Sequence, residues 1–173
     1  MQLAEQVISL ARNAGERIPN SMRQTLGLWY FALTKIPALM FVSPSVVEVT
    51  DSRCVVRIPL NRRTRNHVGS MYFGVLAAGA DCAGGLIAMD RIRASGENVS
   101  LLFKDFKADF LQRVEGDCLF TCDDGEAISA MVEETLSTGE RINRTVNVIA
   151  TVPSKSGDEP VARFELTLSL KRQ

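Results

Sequence analysis

The chain has 173 residues, of which 46% are hydrophobic and 23% are charged, a balance typical of one folded globular domain. Twenty Lys and Arg residues balance twenty Asp and Glu residues, so the formal net charge is zero. A neutral chain has no overall field that would attract nucleic acid or an anionic membrane. The single histidine, His67, argues against metal sites built from several histidines and is the one residue available to a Ser-His-Asp or Cys-His mechanism.

The cysteines and the hydropathy pattern favour a soluble cytoplasmic protein. No CxxC pair occurs, so we expect no disulfide framework among the four cysteines: Cys54, Cys82, Cys118 and Cys122. Cys118 and Cys122 lie four residues apart in a strand-like run and are expected to pack in the core. No secretory signal is recognisable, because polar residues interrupt the first segment. The longest apolar stretch, residues 26–42, contains Lys35 and Pro37 and is shorter than the ~20 residues of a bilayer-spanning helix.

Two helices are predicted at the start of the chain. Apolar residues recur at helical spacing over residues 2–17, which indicates a short amphipathic helix. Asn20 and Ser21 are typical of an N-cap, and the second helix is expected to run to about Ile36, because Pro37 ends or kinks it. Residues 1–42 are therefore interpreted as a helical extension that acts as a lid or a packing layer. A membrane-interface helix is a weaker alternative, because the polar face has few Lys or Arg residues.

The middle of the chain predicts a hairpin followed by a buried helix. Residues 45–50 and 53–60 alternate and are rich in β-branched side chains, which is typical of two paired strands. After a polar loop at residues 61–70, residues 74–93 are rich in Ala, Gly, Leu and Met and are apolar on every side. Such a helix is buried, and glycines that cost up to ~1 kcal/mol each are tolerated there where the backbone approaches its neighbours closely.

The remainder of the chain is mostly strand. Alternation predicts strands at residues 99–111, 116–122, 146–152 and 162–170, with an amphipathic helix inserted at residues 127–136. Strands that do not alternate with helices indicate an α+β fold. We therefore expect one domain, with residues 45–172 forming an antiparallel meander wrapped around the helix of residues 74–93.

Asp81 is the candidate catalytic residue. It is the one charged residue in an otherwise apolar stretch at residues 76–86. Burial of an unpaired carboxylate is costly and raises its pKa, and such residues concentrate at functional sites. A salt bridge to an arginine, or a hydrogen bond to a neighbouring strand, would explain the pattern equally well.

The loop that leads into this helix resembles a known family. In hotdog-fold thioesterases of the PaaI-like type, an Asn is followed six residues later by a His-Gly-Gly triplet, and a catalytic Asp lies nine residues after the His. Here Asn66, Tyr72, Gly74 and Asp81 stand at the Asn, His, second Gly and Asp positions, and the resemblance covers about residues 46–171. Tyr72 and Phe73 replace the usual His-Gly pair, which is similar to a hotdog subgroup akin to the C-terminal domain of YiiD proteins.

The resemblance implies a hotdog fold and an acyl-CoA thioesterase. Asp81 would be the base or nucleophile, Asn66 would orient water or the carbonyl, and Ser100 would be an accessory hydrogen-bonding group. Free N–H groups at the start of the helix, around Gly74, would hold the oxyanion. The substrate-binding residues would be Tyr72, Phe73, Arg63 and Arg65. Each site would combine two subunits, so at least a homodimer, and equally a homotetramer, is implied.

Three further interpretations of these residues remain open. The arginines of the loop, Arg63 and Arg65 among them, could bind the phosphates of coenzyme A or form an ordinary solvated loop. His67 lies fourteen residues before Asp81, as in hotdog dehydratases, although the rest of that motif is absent. Bulky side chains at Tyr72 and Phe73 could fill the carbonyl site, which would leave a non-catalytic protein that binds acyl chains or fatty acids. No cofactor is expected other than coenzyme A as part of the substrate, and no nucleic-acid partner is expected.

Overall fold

The computed structural model describes residues 19–173, so the helix predicted over residues 2–17 lies outside the described residues. The described chain contains six strands and five helices in this order: α1 (Asn20–Lys35), α2 (Pro37–Val42), β1 (Ser45–Val49), β2 (Cys54–Ile58), α3 (Phe73–Ser95), β3 (Val99–Phe110), β4 (Cys118–Cys122), α4 (Gly125–Thr138), β5 (Ile142–Thr151), α5 (Pro153–Ser156) and β6 (Pro160–Arg172).

All six strands form one antiparallel sheet, in the order β1-β2-β4-β5-β6-β3. The predicted meander is therefore wrong for β3, which lies at the far edge beside β6 instead of between β2 and β4. The connection explains the difference, because α3 has 23 residues and spans about 35 Å. That length exceeds the roughly 19 Å between the second and sixth strand positions, so α3 carries the chain across the concave face of the sheet to its other edge.

Helix α3 is the centre of the core. Eleven of its residues are buried, and its glycines allow a close approach to the sheet. A Cβ on Gly79 would lie 2.4 Å from the ring of Phe120, so the ring occupies the space that a side chain would need. The helix is long and apolar enough to cross a membrane by composition, with a mean hydropathy of 1.3, but 61% of that stretch is buried within the fold. A helix that is mostly buried within the fold in this way is typical of the core of a globular domain.

The N-terminal region differs from the prediction in one detail. Helix α1 begins at Asn20 as expected, but Pro19 is its N-cap residue and no side chain caps the helix. The predicted end of this helix before Pro37 is confirmed, and Pro37 begins the short helix α2. Proline has a backbone angle suited to the first turn of a helix and lacks only an N–H group that would be unpaired there.

The architecture confirms the expected α+β class, with an antiparallel sheet wrapped around one long helix, the hotdog arrangement. The predicted core packing of Cys118 and Cys122 is also confirmed, and all four cysteines are free and buried. Burial raises the pKa of the Cys54 and Cys118 thiols to about 12, so both are neutral and behave as small apolar side chains. The helices α1 and α2 pack against this arrangement and contribute Leu28, Ala32, Leu39 and Val42 to the hydrophobic core, and their position creates the site described below.

Candidate functional site

A cavity of about 610 Å³ lies between the N-terminal helices and the core. Helices α1 and α2 form its roof, α3 forms its floor and β3 forms one side. Apart from Asp81, Arg93 and Glu97, the residues that line it are apolar or glycine: Leu28, Phe31, Ile36, Leu39, Cys82, Gly85, Leu86, Met89, Ile92, Gly96, Val99, Leu101, Leu102 and Phe103. The cavity therefore suits a largely hydrocarbon ligand.

Asp81 places a carboxylate in this apolar cavity. Its Oδ1 atom lies 3.9 Å from the position of a Cβ on Gly85, one helical turn further on. No ion pair or hydrogen bond to this carboxylate is formed within residues 19–173, so the structural partner considered for it is not present there. Burial raises the pKa of Asp81 from 3.8 to about 6. Such a group is mostly ionised at neutral pH and is a stronger base than an exposed aspartate.

The start of α3 offers unpaired hydrogen-bond donors. The N–H groups of Val75 and Leu76 donate to the carbonyl of Tyr72, whereas those of Phe73 and Gly74 have no acceptor within the described part of the chain. The positive end of the helix dipole is at the same place, so a developing oxyanion would be stabilised there. The side chains of Tyr72 and Phe73 are 47% and 60% exposed, and their ring centroids are 4.7 Å apart.

The ring of Tyr72 lies against this helix terminus. A Cβ on Gly74 would be 2.6 Å from Cε1 of Tyr72, so Gly74 is the residue that leaves room for the ring. Both the free N–H groups and the aromatic pair are therefore at one end of α3, outside the cavity that Asp81 lines. The ring of Tyr72 therefore lies beside the free N–H group of Gly74.

One subunit does not place its own Asp81 beside its own Gly74. The two residues are seven positions apart on α3, which puts them on the same face but about 10 Å apart along the helix axis. A reacting carbonyl has to lie about 3 Å from both the base and the oxyanion donors. The two groups can act on one carbonyl only when the second is supplied by another copy of the chain.

Asn66 and Ser100 have structural partners. The Asn66 carboxamide oxygen accepts hydrogen bonds from the backbone N–H groups of Val68 and Ser70, at 3.0 and 3.2 Å. The Ser100 hydroxyl donates to the carbonyl of Lys171 at 3.2 Å. Neither side chain lines the cavity of Asp81. Within one subunit, these two predicted site residues hold the loop and the strand instead of joining the carboxylate.

The charged residues of the loop before α3 are exposed. Arg63 and Arg65 take part in none of the ion pairs found within residues 19–173. They lie close to the α3 terminus in the chain, and Arg65 forms an isolated bridge with Met71. His67 is also exposed on this loop and does not line the cavity, so one subunit does not bring it to Asp81.

The pattern of residues 1–42 predicts a lid or a packing layer, but not which of its side chains line the cavity. Leu28 and Leu39 are buried and Phe31 is half-buried, and all three face α3 across the cavity. The available signal was that α1 carries apolar residues on more than one face. That pattern alone does not tell which face meets the core and which meets a ligand.

One edge of the sheet is formed by β3, which pairs only with β6 among the described strands. Three large apolar side chains on this strand are accessible: Leu102 is 60% exposed, Phe106 is 44% exposed and Phe110 is 53% exposed. They are interspersed with exposed charged residues: Lys104, Asp105, Lys107 and Asp109. An edge strand offers unpaired backbone groups to another chain, and such charged residues limit that pairing. This edge adjoins the cavity, because Leu102 and Phe103 line it.

Solved structures share this fold. A probable thioesterase from Pseudomonas aeruginosa matches with a TM-score of 0.66 and 20% identity, over 83% of this chain and 93% of that one. A thioesterase from Haemophilus influenzae matches with a TM-score of 0.59 and 14% identity, over 81% and 86%. A protein of unknown function from Chlorobaculum tepidum matches with a TM-score of 0.74 and 12% identity, over 86% and 94%. At these identities the likeness establishes the hotdog fold alone.

The family is established separately. Residues 28–170 match the domain of unknown function DUF4442, so the chain belongs to that family. None of the curated proteins matches the chain. The resemblance to the YiiD C-terminal domain in particular stays a prediction.

Proposed function

We propose that this protein is a thioesterase that hydrolyses acyl-CoA at a site shared between two copies of the chain. The observation that carries the proposal is Asp81, an unpaired carboxylate with a raised pKa in an apolar cavity. Thioesterases are also among the proteins that share the fold. An acyl chain in the cavity would bring its thioester group to the carboxylate.

The reaction needs a base, an oxyanion site and a leaving thiol. Asp81 removes a proton from a water molecule as that water attacks the thioester carbonyl. The N–H groups of Phe73 and Gly74 of a second subunit hold the oxyanion. The carbon–sulfur bond then breaks, and the thiolate takes the proton from Asp81, which gives a carboxylic acid and a free thiol. Direct attack by Asp81 on the carbonyl is the nucleophilic variant of this step. No cofactor is required, since coenzyme A enters with the substrate.

A second copy of the chain is part of the proposal. The separation of about 10 Å between Gly74 and Asp81 along α3 requires it, and the exposed apolar side chains of Leu102 and Phe106 on β3 offer a contact for it. Arg63 and Arg65 are assigned to the phosphates of coenzyme A, because guanidinium groups bind phosphate in a bidentate way and these two are exposed beside the helix terminus.

The base is tested by an assay of thiol release from a panel of acyl-CoAs. Asp81→Asn and Asp81→Ala should lower kcat by about 10²-fold or more. Asp90→Asn is the matched control, since Asp90 lies on the same helix but does not line the cavity. Activity of the wild type should rise as the pH passes about 6, where Asp81 ionises. Wild-type activity in either Asp81 variant would overturn its role.

Complementation between two inactive variants tests the shared site. Phe73→Pro removes one of the free N–H groups at the first position of α3, where proline is favoured and follows the extended residue Tyr72. In a mixed dimer of Phe73→Pro and Asp81→Asn, one site regains both intact groups and the other loses both. Random mixing should therefore restore about a quarter of wild-type activity. Absence of any recovery, with mixed dimers demonstrated by mass spectrometry, would place the complete site within one subunit.

A second candidate function is acyl-chain binding without hydrolysis. The ring of Tyr72 favours it, because this ring lies against Gly74 at the end of α3 where the thioester carbonyl would be held. This candidate predicts fatty-acid binding with no release of thiol from any acyl-CoA. Under the thioesterase proposal, by contrast, the wild type releases thiol from acyl-CoA, and Tyr72→Phe retains this hydrolysis.

A further inference from the structure

The cavity is elongated along α3. Seven residues of this helix line it, and they extend from Asp81 to Arg93: Asp81, Cys82, Gly85, Leu86, Met89, Ile92 and Arg93. Twelve residues of α-helix advance about 18 Å. Between the two charged ends, every one of these side chains is apolar or absent. The floor of the cavity is thus a straight apolar strip.

Strand β3 follows the same direction as this strip. Phe103 lies near the Asp81 end, since its ring is 3.4 Å from the position of a Cβ on Gly85. Val99 lies at the other end, three residues after Gly96, which follows the last turn of α3. The side of the cavity therefore runs parallel to its floor, and helices α1 and α2 cover both. A channel with these proportions fits a linear chain better than a compact ring.

The length of the strip corresponds to a definite chain length. Carbon–carbon bonds of about 1.5 Å that meet at about 111° advance roughly 1.25 Å per carbon in an extended chain. A strip of about 18 Å therefore matches roughly 14 carbons. A chain of four carbons would fill about 5 Å of it and leave most of the apolar wall in contact with water.

We infer that the cavity binds a linear, saturated acyl chain of about 12 to 14 carbons, with its carbonyl end at Asp81 and its methyl end near Ile92. The roof helices α1 and α2 exclude water from this chain. The identification of the ligand as the acyl part of a thioester rests on the proposed function, whereas the chain length rests on the cavity alone. Met89 is the position at which a larger side chain would shorten the strip, because it lies eight residues after Asp81, about 12 Å along the helix.

Binding of free fatty acids tests the chain length without any hydrolysis. Sodium salts of saturated acids with 4 to 18 carbons are titrated by calorimetry into Asp81→Asn, which lacks the carboxylate that would repel that of the ligand, and into the wild-type protein at pH 5, where Asp81 is mostly protonated. Affinity should rise two- to fourfold for each added methylene up to about 12 to 14 carbons and then level off or fall. Equal or absent binding across the series, or an optimum below eight carbons, would overturn the inference.

Two variants in the cavity and one outside it complete the test. Met89→Trp should move the optimum to 10 carbons or fewer, because the indole ring blocks the strip beyond about 12 Å. Gly85→Ala should weaken all chains longer than about five carbons without moving the optimum, since its Cβ fits beside Phe103 at 3.4 Å. Ile149→Trp, on an exposed side chain outside the cavity, should keep the wild-type profile. A thermal melt establishes folding, and an unshifted optimum in a folded Met89→Trp protein would overturn the assignment.

The outcomes separate this inference from the proposed function. Length-dependent binding of fatty acids without hydrolysis of any acyl-CoA would retain the inference and remove the thioesterase. Hydrolysis confined to short or aromatic acyl-CoAs would retain the thioesterase and remove the inference.

Discussion

Replacement of Asp81 by Asn should stabilise the protein at neutral pH. Asn has the same shape but no charge, so it removes the cost of holding an ionised carboxylate in an apolar cavity. Burial raises the pKa of Asp81 from 3.8 to about 6, and about two pKa units correspond to roughly 3 kcal/mol. Because the folded state binds this proton more tightly than the unfolded state, the resulting stabilisation is full below pH 4 and is lost as the pH rises through about 6.

The difference between Asp81→Asn and wild type therefore depends on pH. The advantage of the variant should grow by about 2 kcal/mol between pH 4 and pH 7.5, which corresponds to a gain of roughly 4–8 °C in Tm. Thermal melts and urea denaturation at both pH values measure it. Asp158→Asn, in the exposed turn before β6, is the control and should show no such growth. An advantage that is equal at both pH values, or that shrinks with pH, would refute the argument that burial alone perturbs Asp81.

Three further predictions concern packing, acid stability and thiol reactivity. Gly79→Ala should lower the free energy of unfolding, measured by urea denaturation, by about 1–3 kcal/mol, because its Cβ would be 2.4 Å from a buried ring. Gly84→Ala is the control and should be neutral or stabilising, because the nearest contact of its Cβ would be 3.5 Å. An equal loss of stability for both variants would contradict this reason. Asp117→Asn should cost about 1 kcal/mol at pH 7. The cost should shrink as the pH falls below the usual carboxyl value of 3.8, because the Leu60 N–H and Arg57 lower the pKa of this carboxyl and their stabilisation is lost as it becomes protonated. Cys54 and Cys118 should react with iodoacetamide at pH 8 only as fast as the protein unfolds, because burial raises the pKa of both thiols to about 12 and neither lines the cavity. Rapid labelling of either residue, located by mass spectrometry of peptides, would contradict this prediction.

Local patterns in the sequence are sufficient for most of the fold. The apolar composition of residues 74–93 predicts the buried helix, because a helix that is apolar all round has no face to turn to water. Strict alternation likewise predicts β5 and β6. The position of β3 is not predictable from local patterns. Strand order depends on which edge of the sheet the chain reaches after α3, and that edge depends on the length of α3 relative to the width of the whole sheet.

A site residue is predictable from the sequence only where its chemistry differs from that of its neighbours. Asp81 differs, since it is the one charged residue in an apolar stretch. The roof residues Leu28 and Phe31 do not differ, because apolar side chains are expected in a helix whether they contact the core or a ligand. The loop residue Asn66 follows the spacing of a family motif, yet its carboxamide binds the backbone of its own loop. Spacing in the sequence constrains position, but it does not specify which groups a side chain will contact.

The attachment of α1 to the fold has a consequence for access to the cavity. This helix of 16 residues contributes just two buried side chains, Leu28 and Ala32. An element held by so little buried surface separates from the core at a much lower free-energy cost than the strands of the sheet. Backbone amides of α1 should therefore exchange with deuterium well before those of β5 and β6. A ligand can enter when the roof opens, while the sheet and the central helix stay folded.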